Sequence, residues 1–272
     1  MQRIWMVSLL AVTGCGAIAD FKSTVEGLTE RFVIEGLYLG SAPFAEDIDL
    51  SATGFDEAKA VVFLADASQI SEIDQAPLSG LEPELFAGSG GVVLEEGVAG
   101  KYSLSGEDGL VYGDNQAVTL EVTYGEELRA AEVYAPAAAD LDAVPTLHAA
   151  GASMTVDLSG QGFTAALVVV MDADSSEVTH SNEPQDIEAL YELTHPDGIG
   201  LGDEEDTDDT VIVEIPSEAF PEEGIYVIGI AGLETSGPDD LSGINTALST
   251  FVAGKFRFVK VCTDDYAKLC AG

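Results

Sequence analysis

The chain has 272 residues, and its 49 Asp and Glu against 10 Lys and Arg give a formal net charge of −39 at pH 7. A field of this sign repels phosphate backbones and anionic lipid headgroups, which argues against nucleic acid as a partner. The hydrophobic share of 46% is that of a folded protein rather than of an acidic disordered tail. The length is sufficient for two domains, each with its own core.

A short apolar run from Ile4 to Val12 follows the single basic residue Arg3. The run is shorter than the about 20 residues of a membrane-spanning helix, and its position is typical of an export signal. Val12-Thr13-Gly14-Cys15 at its end resembles the lipobox of bacterial lipoproteins. This resemblance implies that residues 1–15 are a lipoprotein signal peptide ending at Cys15, which becomes lipidated and anchors the protein to the membrane.

The residues after Cys15 bear on location. By analogy with Gram-negative lipoproteins, Gly16 at the second mature position indicates the outer membrane, on its periplasmic or surface-exposed face, and residues 16–26 would form a tether. Ala17-Ile18-Ala19 offers an alternative, because this small-x-small pattern is also typical of ordinary signal cleavage. Cleavage after Ala19 would give a secreted protein without a lipid, and both alternatives predict export.

A heptapeptide repeat organises the rest of the chain. Asp49–Phe55 (DLSATGF) recurs as Asp157–Phe163 (DLSGQGF), and Val61-Val62 recurs at the same spacing as Val169-Val170. A period of roughly 100 residues is too long for a solenoid unit and matches one immunoglobulin-like sandwich. In each copy the Gly-Phe pair predicts a turn that places an aromatic ring in a core.

The pattern of apolar residues predicts strands in both halves. Alternation predicts half-buried strands over 31–39, 117–124 and 255–261. Continuous apolar runs over 60–64 and 165–171 are typical of central strands. Residues 184–193 form the one helix candidate, with Pro184 suited to a first helical position.

These elements predict an all-β fold: two tandem immunoglobulin-like β-sandwich domains with one short helical insert. The first domain is expected over 27–137 and the second over 146–262. The proline-bounded segment 135–145 between them predicts a semi-rigid connection rather than a core element.

Cys262 and Cys270 are the two cysteines that remain after Cys15. In an exported protein, such a pair close together in sequence predicts a disulfide. The bond would tie down the C-terminal tail, 263–272, after the last strand.

The densest run of carboxylates follows a glycine-rich stretch and is a candidate calcium site. Its candidate ligands are Asp203, Glu205, Asp206, Asp208 and Asp209. A solvated acidic surface explains the same residues without an ion. No other cofactor is predicted.

The search for catalytic motifs finds no nucleophile elbow, phosphate-binding loop or zinc-ligand spacing around His148, His180 and His195. No catalytic residue is therefore predicted. We expect a non-enzymatic, membrane-anchored extracytoplasmic lipoprotein with a structural or protein-binding role and an unknown protein or surface partner. A calcium-stabilised surface adhesion module and a carboxylate-dependent hydrolase are the alternatives.

Overall fold

The computed structural model describes residues 30–68, 72, 75–88, 90–184, 187–194 and 210–270. The predicted signal peptide and tether lie outside these residues, as does the acidic run Asp203–Asp209. The described chain is mostly β-strand.

The elements are numbered in chain order. The strands are β1 Phe32–Ser41, β2 Lys59–Asp66, β3 Glu84–Ala87, β4 Gly90–Val93, β5 Glu95–Val98, β6 Lys101–Ser105, β7 Gln116–Tyr124, β8 Glu127–Ala135, β9 Leu147–His148, β10 Met154–Asp157, β11 Ala165–Asp172, β12 Val178–Ser181, β13 Ile212–Ile215, β14 Ile225–Thr235, β15 Leu241–Ser242 and β16 Thr250–Thr263. The helices are α1 Ile187–Thr194 and α2 Ala267–Cys270. The strands predicted from the sequence are confirmed as β1, β2, β7, β11 and β16, and the predicted helix is confirmed as α1.

One large sheet runs through both halves of the chain, in the order β12-β11-β14-β16-β1-β2-β6-β5, with β9 also paired to β16. In its centre β1 and β16 are parallel, with Glu35 opposite Thr250 and Ser41 opposite Phe256. The short strand β15 also crosses between the halves, because it pairs with β8. Strands from the ranges 27–137 and 146–262 therefore share hydrogen-bonded sheets.

Two smaller sheets, β15-β8-β7-β3-β4 and β10-β13, cover one face of the large sheet. Under the first, Ile34 of β1 packs in a buried cluster with Leu120 of β7. Under the second, Ile228 of β14 packs in a separate cluster with Val156 of β10. Each half therefore has its own buried cluster on this face of the shared sheet.

The opposite face of the large sheet is covered by the loop between β1 and β2 and by α1. Leu37 and Leu39 of β1 belong to its buried cluster, together with Phe55 from the loop, and Leu193 of α1 packs against them. Successive side chains of a strand point to opposite faces. Because both faces are covered, β1 is buried along nearly its whole length, whereas alternation had predicted a half-buried strand.

The segment between the predicted domains also differs from its prediction. Ala139, Leu141 and Val144 are buried in the cluster of the second half. Asp140 and Asp142 alternate with them and lie 3.7 and 3.1 Å from the Arg257 guanidinium. Alternation of small apolar and acidic residues lets this segment line a core on one side and face solvent on the other.

Both copies of the repeated heptapeptide form a turn that begins with the same hydrogen bond. The Asp49 carboxylate accepts a hydrogen bond of 2.9 Å from the Ser51 N–H, and Asp157 accepts one of 2.9 Å from Ser159. Gly54 and Gly162 close the turns in the left-handed region, with φ of 70° and 81°. The predicted position of the aromatic ring in a core is confirmed for Phe55, which is buried, whereas Phe163 is only partly buried.

Candidate functional site

Three sets of residues are expected to carry function: Cys15, the calcium candidates and the cysteine pair near the C-terminus. Cys15 lies outside the described residues, and so do the calcium candidates Asp203, Glu205, Asp206, Asp208 and Asp209. The structure therefore bears directly on the third prediction, the cysteine pair near the C-terminus, and on residues that the sequence did not single out.

Cys262 and Cys270 form the predicted disulfide, with their Cα atoms 5.8 Å apart. Cys262 lies near the end of β16, where it is buried and pairs with Leu147 of β9. The neighbouring Thr263 is also buried, and its hydroxyl accepts a hydrogen bond of 2.7 Å from the Gly224 N–H. The disulfide therefore fixes α2 to a rigid part of the large sheet.

The described residues contain no group of three or more His, Cys, Asp or Glu side chains that could hold a metal ion. The Asp172 Oδ1 accepts hydrogen bonds from the backbone N–H groups of Asp174 and Ser175, at 2.9 and 2.8 Å. This carboxylate closes a tight turn after β11.

The structure describes two of the histidines, and each lies in a β-strand. His148 lies in β9, and its Nε2 is 2.9 Å from the carbonyl oxygen of Ala152. Its ring contacts Phe220 edge-on, with centroids 4.7 Å apart. His180 lies in the edge strand β12, where burial lowers the pKa of its imidazole.

Glu35, in the middle of β1, is the most unusual polar residue of the described chain. It is fully buried, and neither carboxyl oxygen has a hydrogen-bond partner. Burial without a compensating charge raises the pKa of the carboxyl well above its ordinary value, because the ionised form is penalised in an apolar environment. The apolar surroundings of Glu35 therefore favour the protonated form of its carboxyl.

The surroundings of Glu35 are set by strand register and by α1. Phe63 of β2 and Thr250 of β16 are its neighbours across the sheet. Tyr191 of α1 is close enough for the Glu35 charge to contribute, after burial, to raising the pKa of its phenol. The Tyr191 hydroxyl donates to the carbonyl oxygen of Ala247 at 3.2 Å, which joins α1 to the loop before β16.

A small cavity of about 70 Å³ lies between α1 and the large sheet, and it is lined by Phe63, the residue opposite Glu35 on β2. Its apolar walls come from Leu37 of β1, Phe63 of β2 and Leu190 of α1, and the side chains of Lys59 and Lys101 also line it. Two lysines at an apolar cavity are notable in a chain with so few basic residues.

The sequence pattern did not predict that Glu35, Lys59 and Lys101 lie on one face of the large sheet. Alternation along β1 places Val33, Glu35, Leu37 and Leu39 on one side, and the single acid among them fitted the solvent side of a half-buried strand. The three apolar neighbours were the available signal, because they indicate that this side is buried as well. The contribution of Lys101 depends on pairing between β2 and β6, which no local pattern specifies.

Over the same described ranges, no helix combines the length and the hydropathy needed to cross a membrane. No family model matches the chain, and the comparison with curated proteins found no match.

Proposed function

We propose that this protein is an exported lipoprotein, anchored through lipidated Cys15 on the outer membrane, with a non-enzymatic structural or protein-binding role. The observation that carries the proposal is Val12-Thr13-Gly14-Cys15 behind a short apolar run. The lipid would be the membrane contact, since a chain of net charge −39 is repelled by anionic headgroups.

The disulfide between Cys262 and Cys270 supports the exported location, because such bonds persist in oxidising compartments. The first described residue, Glu30, lies fifteen positions after Cys15, and a segment of that length reaches at most about 50 Å when extended. The folded part would therefore stay close to the membrane surface.

The finer fold assignment belongs to the same proposal. Each half of the described chain has a buried cluster between the large sheet and a smaller one, which is how an immunoglobulin-like sandwich is built. In this interpretation the two sandwich-like halves are fused through β1 and β16 rather than linked in tandem.

Intact-mass measurement and membrane fractionation of the natural protein test the anchor. We expect a mature chain that begins at acylated Cys15 and needs detergent for its extraction. Cys15→Ser should release it into the soluble fraction, whereas Cys270→Ser, the matched control, should leave it in the membrane. A mature chain that begins at Asp20 without a lipid would overturn the anchor and support a secreted protein.

A further inference from the structure

Among the described residues at the cavity under α1, one cation has no carboxylate partner. Lys59 Nζ lies 2.9 Å from a carboxylate oxygen of Glu183, so these two opposite charges form an ion pair. Lys101 Nζ lies 5.2 Å from the centre of the Phe63 ring, and it forms no ion pair with a carboxylate of the described chain.

Strand register explains why the two lysines reach the same cavity. Lys101 of β6 is directly opposite Phe63 of β2, and Lys59 lies four positions earlier on β2, opposite Ser105. Paired residues of neighbouring strands point to the same face, as do alternate residues of one strand. The cavity lining therefore combines the Lys59–Glu183 ion pair, apolar side chains and the cation of Lys101.

Lys101 differs from the other lysines of the large sheet. Lys255 Nζ lies 2.8 Å from Asp114, and Lys260 Nζ lies 2.8 Å from Glu46. Acidic residues outnumber basic ones by 49 to 10, so carboxylate partners are plentiful on most surfaces. The side chain of Lys101 instead lines the cavity, where the residues beside it are apolar.

We propose that this cavity binds a small monocarboxylate, with its oxygens on Lys101 Nζ and its alkyl group against Leu37, Val61 and Leu190. One free cation calls for a monoanion, and ammonium–carboxylate hydrogen bonds are strong where water is partly excluded. A cavity of about 70 Å³ is roughly half the size of one that holds benzene, so it accepts about three or four heavy atoms, as in acetate. The Glu183 carboxylate against Lys59 shows that this chemistry fits the site.

This site goes beyond the proposed function and does not depend on the lipid anchor. The test is a titration of the full chain with sodium acetate at constant ionic strength, followed through the methyl NMR signals of Leu37, Val61 and Leu190. We expect one saturable transition shared by the three residues. Butyrate, with six heavy atoms, should bind at least tenfold more weakly because it exceeds the cavity.

Variants of Lys101 distinguish binding at this cavity from a general attraction of acetate to the cations of the protein. Lys101→Met removes the charge and keeps the aliphatic stem, and it should weaken acetate binding by about tenfold or more. Lys101→Arg should retain binding within a few-fold, and Lys260→Met, the matched control, should bind as the natural chain does. Lys101→Gln is a second neutral variant if Lys101→Met does not fold. Failure of acetate to shift the three methyl signals, or equal losses in Lys101→Met and Lys260→Met, would overturn the proposal.

Discussion

The two halves of the molecule share a turn-forming heptapeptide, but the phenylalanine that ends it is buried to a different extent in each half. Asp49–Phe55 and Asp157–Phe163 share the same carboxylate hydrogen bond and the same left-handed glycine. Phe55 is nevertheless buried and stacks on Phe256 with ring centroids 4.2 Å apart, whereas Phe163 stays half-buried against Gly232. The comparison shows that a local sequence can fix a turn without fixing the environment of the residue that follows it.

The residues inside each turn help to explain the difference. In the first copy the Thr53 hydroxyl donates to the Leu50 carbonyl at 2.7 Å and accepts from the Phe55 N–H at 3.2 Å. In the second copy the side-chain oxygen of Gln161 accepts from the Asp140 N–H at 2.8 Å. The first turn is therefore closed on itself against the sheet, and the second is tied to the segment that joins the two halves.

The strands after the two turns also differ. β11 is buried on both faces over almost its entire length, while β2 alternates and has Lys59 and Phe63 at the cavity beneath α1. Glu35 and the two lysines at this cavity belong to the first half, and Glu183 belongs to the segment before α1. The second half has an apolar centre with no equivalent of this face among its described residues.

The largest difference between the halves is expected from removal of the two aromatic rings. Phe55→Ala should lower the free energy of unfolding by about 3–5 kcal/mol, because it leaves a cavity beside Phe256. Phe163→Ala should lower it by roughly 1–2 kcal/mol, since a half-exposed ring loses less buried area. Denaturant unfolding of both variants measures the two values. Equal losses would show that the half-exposed position of Phe163 contributes as much as the buried one.

A second experiment concerns Glu35, which has no counterpart in the second half. Its pKa is raised in the folded state, so its contribution to stability is complete below the unfolded pKa of about 4.3 and is lost as pH rises toward the folded value. Over that window Glu35→Gln should remove a slope of up to about 1.4 kcal/mol per pH unit. Unfolding free energies between pH 4 and pH 8 measure it.

Glu126→Gln is the matched control for this experiment, since Glu126 is exposed in the turn between β7 and β8. It makes the same chemical change at an exposed carboxyl and should leave the pH slope of the natural chain intact. If the two variants have the same pH profile, the pH dependence belongs to the charge of the whole protein rather than to Glu35.

The smallest effect, and the one expected to be equal in the two halves, concerns the turn glycines. A Cβ added at Gly54 or Gly162 would meet no atom within 4 Å, so the penalty comes from the left-handed backbone alone. Gly54→Ala and Gly162→Ala should each lower the free energy of unfolding by about 1–2 kcal/mol. The melting transitions of both variants measure the two losses in unfolding free energy. A difference between these losses that is well above this range would mean that the turns are not equivalent.

Local sequence was sufficient for the turn, several strands, the helix and the disulfide. The Asp-Leu-Ser start and the later glycine specify hydrogen bonds within a few residues, and α1 follows from Pro184 and apolar spacing. Cys262 and Cys270 are close in sequence, so their pairing also required little tertiary information. The lipobox-like motif at Cys15 remains a prediction from the sequence.

Tertiary structure alone decided how the halves combine and which residues meet. The parallel pairing of β1 with β16 joins residues more than 200 positions apart, and it brings strands of both halves into one sheet. That pairing, together with α1, buried the side of β1 that contains Glu35, and the pairing of β2 with β6 brought Lys101 to the cavity. The physical reason is that alternation assigns side chains to two faces, but only the packing of distant elements determines whether water reaches either face.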